Sequence, residues 1–113
     1  IYGIGTDKAI YSLSVVWGSW TKITTGSVTD LAYWNGRLYG IGNSGKVWWT
    51  NPNGSWNYLI GGWVSRIIIH GDTIYGIGRN TNAIYSTSVH GGSWTKITTG
   101  SVIDLAYWIG NRD

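Results

Sequence analysis

Cysteine is absent from this 113-residue chain, so neither a disulfide framework nor a thiolate metal site is available, and cysteine usage indicates no redox compartment. Glutamate is absent too, and the acidic residues are Asp7, Asp30, Asp72, Asp104 and Asp113. Glycoside hydrolysis needs two carboxylates on opposite sides of one bond, and no facing pair is encoded. His70 and His90 fall in unrelated turns, and no serine sits in a nucleophile elbow. Metal ligation needs His or carboxylate clusters at set spacing, which are missing. A binding protein is expected, with no enzyme activity, cofactor or metal. No apolar run approaches a membrane span or a signal h-region, which speaks against membrane insertion. The four Lys and four Arg that give a net charge of +3 are scattered singly. Nucleic-acid binders cluster their basic residues, so that partner is not expected.

Phenylalanine is also missing, yet there are nine Trp and eight Tyr, and hydrophobic residues reach 42%, which excludes disorder. Trp and Tyr join a flat apolar face to a polar handle, a combination suited to half-buried sites and hydroxyl-rich ligands.

One pentapeptide recurs as Ile1–Gly5, Leu38–Gly42 and Ile74–Gly78, starting 37 and then 36 residues apart. A period in that range marks repeat architectures. Residues 19–33 read SWTKITTGSVTDLAY and residues 93–107 read SWTKITTGSVIDLAY, one difference in fifteen positions. The middle copy, residues 55–69, keeps the frame with diverged side chains.

Each unit reads as four short strands. In the second unit these are residues 28–34, 37–41, 46–50 and 55–60, separated by turns at Asn35-Gly36, Gly42–Gly45 and Asn51–Gly54. No sustained 3.6 period appears, so helix is not expected. Four antiparallel strands in about 37 residues, repeated, is the sequence form of a β-propeller blade. The fold expected is all-β: one repeat domain over 1–113, in units 1–37, 38–73 and 74–113. The chain opens at a second strand and carries a spare first strand at 102–108. Three blades do not close a ring, and propellers usually have four to eight. Two chains, each completing its partner's first blade, would make a six-bladed homodimer. A monomeric β-prism II, as in monocot mannose-binding lectins, ranks second because the signature of those lectins is absent, and a β-trefoil ranks third.

The pattern Trp-x-x-Ile-x-x-Gly, then an apolar strand, Leu/Ile-Tyr-Gly-Ile-Gly, a polar turn and an apolar–aromatic pair, resembles the tectonin-type propeller lectins and the tachylectins. It runs through Trp20, Ile23, Gly26, Leu38–Gly42 and Val47-Trp48, then through Trp56, Leu59, Gly62, Ile74–Gly78 and Ile84-Tyr85. Residues 60–63 also look like a tachylectin turn. Blade length and the missing Phe-rich inner run depart from that family. The resemblance implies a propeller that binds glycans or bacterial surface polysaccharide, and secretion.

A sugar presents hydroxyls around an apolar face, so its site wants one flat aromatic and a few fixed donors and acceptors. Trp63 is the leading aromatic, standing in a turn where the outer repeats have Ser27 and Ser101. Asn43, Arg79, Asn80 and Asn82 are the expected polar partners, with Asp30 and Asp104 reachable from the inner strands. Trp34 and Trp108 are the alternative face, while Trp20, Trp56 and Trp94 read as core. The rival functions are a propeller scaffold for a protein partner and an excised or engineered stretch of a larger propeller, to which the opening at Ile1 in place of Met also points.

Overall fold

The computed structural model describes residues 2–14, 16, 18–24, 26–51, 54–98 and 101–106. Trp17, Thr25, Pro52, Thr99, Gly100, Trp108 and Asp113 lie outside them, as does the end of the expected last strand.

Among the described residues the chain forms eleven strands and no helix. Strands β1 (Tyr2–Ile4), β2 (Ile10–Leu13) and β3 (Trp20–Thr24) make sheet 1. Sheet 2 holds β4 (Val28–Trp34), β5 (Arg37–Gly42), β6 (Val47–Thr50) and β7 (Asn57–Ile60). Sheet 3 holds β8 (Val64–His70), β9 (Thr73–Gly78), β10 (Ile84–Ser88) and β11 (Gly91–Thr98). Each sheet is antiparallel, ordered as in the sequence, and none closes on itself. The expected strands of the second unit match β4 to β7 within two residues at each end. Because the units are counted from a second strand, their cuts at 37/38 and 73/74 fall within the β4–β5 and β8–β9 hairpins. The first of these turns where Asn35 (φ 47°) and Gly36 (φ 80°) supply the two positive φ values of a type I′ turn.

The spare first strand also differs from expectation, since residues 102–106 form no strand. A strand is held by its ladder, and in one chain this segment has no sheet beside it.

The pentapeptide is apolar at every position because its strand is packed on both faces. Successive side chains of β5 alternate sides. Leu38 joins Ile10 and Val28 in a cluster between sheets 1 and 2. Tyr39 and Ile41 join Val47, Ile60, Val64, Ile67, Ile74 and Val89 between sheets 2 and 3. Burying each such side chain stabilises the fold by about 1.5–3 kcal/mol. The two seams also carry polar bonds. Tyr39 donates its hydroxyl hydrogen to the Val89 carbonyl at 3.1 Å, and the Ile67 N–H donates to the Asp30 carboxylate at 2.9 Å. Tyr2 stacks on Tyr33 across the first seam, with centroids 5.8 Å apart.

Candidate functional site

Glycine at the third position of the pentapeptide makes room for an indole that lies over it. A Cβ on Gly40 would stand 3.1 Å from Trp56 Cη2, one on Gly76 3.2 Å from Trp94 Cη2, and one on Gly3 3.2 Å from Trp20 Cη2. The fifth position seats a second ring in the same way. A Cβ on Gly78 would meet Tyr85 Cε1 at 2.9 Å, and one on Gly5 would meet Tyr11 Cε1 at 2.5 Å. Shifts in strand register at Ile10/Tyr11, Val47/Trp48 and Ile84/Tyr85 coincide with these rings. Such bulges re-aim side chains. Each sheet thus carries two glycines beneath two aromatics: Tyr11 with Trp20, Trp48 with Trp56, and Tyr85 with Trp94.

Hence Trp20, Trp56 and Trp94 are not the buried core expected of them. Trp56 and Trp94 are half-buried and Trp20 is 53% exposed. Their rings line pockets on the face of each sheet, and Trp94 Nε1 donates to the Gly61 carbonyl at 2.8 Å, tying its own sheet to the connection that enters it.

On sheet 3 the pocket holds about 210 Å³ and is lined by Gly62, Trp63 and Val64 on one side. Gly78, Arg79, Asn80, Thr81, Tyr85 and Trp94 form the rest. Trp63 is 57% exposed, with the Arg79 guanidinium carbon 5.3 Å from its ring centroid. The Arg79 N–H donates to the Trp63 carbonyl at 2.6 Å, which holds turn and connection together. Thr81 Oγ1 and the Tyr85 hydroxyl are 3.3 Å apart. On sheet 2 the equivalent pocket is lined by Ser27, Val28, Gly42, Trp48 and Trp56, and on sheet 1 by Gly3, Ile4, Gly5, Thr6, Tyr11 and Trp20.

Three of the expected site residues therefore meet: Trp63, Arg79 and Asn80. Asn43 holds the matching turn on sheet 2, its Nδ2 donating to Ser27 Oγ at 3.2 Å. Asn82 lies elsewhere, in a shallow cleft with Thr29, Ser65, Arg66, Arg79 and Ile103. Its backbone serves the fold: φ is 56° and its carbonyl accepts the Val102 N–H at 2.9 Å. Asp30 is committed to the Ile67 N–H, and exposed Asp104 accepts from the Leu105 N–H at 2.9 Å. Trp34 donates to the Gly71 carbonyl and meets Tyr39 and His90 edge-on. Arg37, paired with Trp34 across the hairpin, holds its guanidinium carbon 4.1 Å from the Trp49 ring centroid. Tyr85 and Trp94 also line the sheet 3 pocket, without being among the expected site residues. The aromatic that follows each Gly-Ile-Gly, six residues on in the first two copies and seven in the third, is the sequence signal for Tyr85.

In the sheet 1 turn, the Tyr11 hydroxyl donates to Asp7 at 2.8 Å and the Ala9 N–H donates to it at 3.1 Å. The Tyr11 bond first, then the Ala9 bond, holds the Asp7 carboxyl below the usual range, with Lys22 at 3.3 Å adding to the effect. The same bond pushes the Tyr11 phenol up.

Compared with known families and with curated proteins, the chain matches no family model and no curated protein.

Proposed function

We propose that the chain is a carbohydrate-binding protein of β-propeller architecture, its three sheets serving as blades of a ring closed by further copies, and that it acts by binding without catalysis. The observation that carries this reading is the sheet 3 pocket, where Trp63, Tyr85 and Trp94 offer apolar ring faces beside Arg79, Asn80 and Thr81. A sugar ring has the complementary make-up, with C–H faces for the rings and hydroxyls for the polar turn. At about 210 Å³ the pocket is smaller than the roughly 300–1,000 Å³ of drug-sized sites, which suits one or two sugar rings. A single shallow site of this kind binds at about millimolar Kd, close to 4 kcal/mol. Repetition on every sheet compensates, since several weak sites on one glycan surface gain avidity by orders of magnitude.

The exposed rings of Trp20, Tyr33, Tyr58 and Trp63 also suit anchors for a protein partner. A glycan array, followed by titration with hexoses and N-acetylhexosamines, separates the two readings. Binding that a monosaccharide inhibits, and that Trp63→Ala weakens while melting stays near native, supports the lectin. Absence of binding to any glycan overturns it.

A further inference from the structure

The aromatic pocket recurs on all three sheets, but only two copies have both walls. On sheets 2 and 3 one wall is the connection entering the sheet, Ser27-Val28 or Trp63-Val64. The sheet 1 pocket has its floor of Gly3, Gly5, Tyr11 and Trp20 and its turn at Thr6, and no such wall among the described residues. A Cβ on Gly40 would meet Val28 Cγ1 at 2.9 Å and one on Gly76 would meet Val64 Cγ1 at 3.2 Å, whereas Gly3 has only Trp20 against it. This gap accounts for Trp20 being 53% exposed where Trp56 and Trp94 are half-buried.

At the far end of the chain stands a wall without a floor. The Val28 N–H donates to the Lys8 carbonyl at 3.0 Å and the Val64 N–H to the Gly45 carbonyl at 3.2 Å. The Val102 N–H makes the same bond to Asn82 at 2.9 Å. Lys8, Gly45 and Asn82 share a positive φ of 70°, 82° and 56°, so one turn geometry aims all three acceptors. Residues 101–106 repeat residues 27–32 with Ile103 for Thr29 as the one change. Ile103 is 83% exposed and the segment has no strand partner.

We infer that the sheet 1 pocket is a composite site, completed by Ser101 and Val102 of a second copy of this chain. The occupant is a second copy because its residues 101–106 carry almost the sequence that already walls the sheet 2 pocket. The register follows from β4 on β5, where Val28 pairs with Gly42, Asp30 with Ile41 and Leu31 with Gly40. Val102, Asp104 and Leu105 of the second copy take Gly5, Ile4 and Gly3 in the same way, and its Ser101 comes beside Thr6 as Ser27 does beside Asn43. Its Asp104 then reaches the Leu31 N–H as Asp30 reaches Ile67. Pairing covers the open edge of β1, a template that folded proteins keep covered. Two chains joined at both ends make six sheets, within the range of four to eight for closed rings. That the completed pocket takes a sugar rests on the function proposed above; its being composite does not.

The chain has no cysteine, which makes cross-linking selective. Thr6 and Ser101 are both exposed, so replacing them is mild. Thr6→Cys and Ser101→Cys chains, refolded together, are treated with an oxidant or a short bis-maleimide. The mixture is expected to give covalent dimers on a denaturing gel, and each single variant alone to give none. The Thr6→Cys/Ser101→Cys double variant is expected to link between chains, and light scattering on the unaltered protein to show an oligomer. A monomer by scattering, a link within one chain, or no link in the mixture overturns the proposal. Cross-linking without glycan binding would sink the lectin reading alone, and glycan binding by a monomer would sink the composite site alone.

Discussion

The Asp30 carboxylate accepts the Ile67 N–H at 2.9 Å, joining β4 to β8 across one full repeat. The bond spends the carboxylate on holding two sheets in register, which takes it away from any ligand. A charged acceptor to a part-buried N–H contributes about 1.5–3 kcal/mol. Asp30→Ala is therefore expected to lower unfolding stability by about 1–3 kcal/mol in urea melts, and Asp30→Asn by less because one acceptor oxygen remains. Glycan binding per folded molecule stays unchanged. Lost binding at unchanged stability would return Asp30 to the site.

Gly40 tests the packing beneath the sheet 2 pocket. An added Cβ would stand 2.9 Å from Val28 Cγ1, closer than packed carbons tolerate, and 3.1 Å from Trp56 Cη2, a tight contact. Gly40→Ala is expected to cost about 1–3 kcal/mol through overpacking. Val28→Ala removes one of the two obstacles, so the double variant loses less than the sum of the single losses, by about 0.5 kcal/mol or more. Additive losses would mean that the strain is relieved elsewhere.

The strands and their order were legible because hydrophobic periodicity and Asn-Gly or Gly-rich turns are local signals. The spacing of the pentapeptide also showed that neighbouring sheets are equivalent. Three features needed the third dimension. The recurrent Trp reads as core because repetition alone does not separate a fully buried ring from one that packs on the edge of the core and opens to a pocket, as Trp56 and Trp94 do. Gly40 reveals the difference only once Trp56 is seen above it. Asp30 reads as a hydrogen-bonding residue near the ring, structural or toward a ligand, and its structural partner is a backbone N–H, which has no sequence signature. Asn82 read as a donor in a polar turn, whereas its positive φ and its carbonyl are what the turn uses. Trp63 was legible for the opposite reason: a large ring in a turn, where the other repeats have serine, has no strand to pack.

Asp7 and Tyr11 give the sheet 1 turn a pH dependence. The carboxyl is depressed chiefly by the Tyr11 hydroxyl bond, then by the Ala9 N–H. A depressed carboxylate contributes stability above its unfolded pKa, near 4, and loses it as pH falls through the lower folded value. Tyr11 is raised, so its contribution is present below the usual phenol range and is lost as pH climbs through the folded value. Tyr11→Phe is expected to move the Asp7 titration upward toward the ordinary carboxylate range, followed by NMR at its carboxyl carbon. An Asp7 midpoint unmoved by Tyr11→Phe would show that the Ala9 and Lys22 contacts suffice.

Arg79 connects fold and site through separate atoms, which makes its two roles separable. Its backbone N–H bonds the Trp63 carbonyl and survives any side-chain change, while its guanidinium lies 5.3 Å from the Trp63 ring centroid. An exposed cation–π contact of this kind contributes about 0.5–1 kcal/mol, so Arg79→Ala should lower stability by no more than about 1 kcal/mol. The guanidinium also fixes the exposed indole and offers a planar fork of donors to sugar hydroxyls, which a lysine ammonium does not reproduce. Glycan affinity is therefore expected to fall about tenfold in Arg79→Ala, equivalent to 1.4 kcal/mol, with Arg79→Lys between it and the unaltered protein. Calorimetric titration and thermal melts of the three proteins read both quantities. Equal affinity in all three would remove Arg79 from the site and leave Trp63, Tyr85 and Trp94 to bind through ring faces alone.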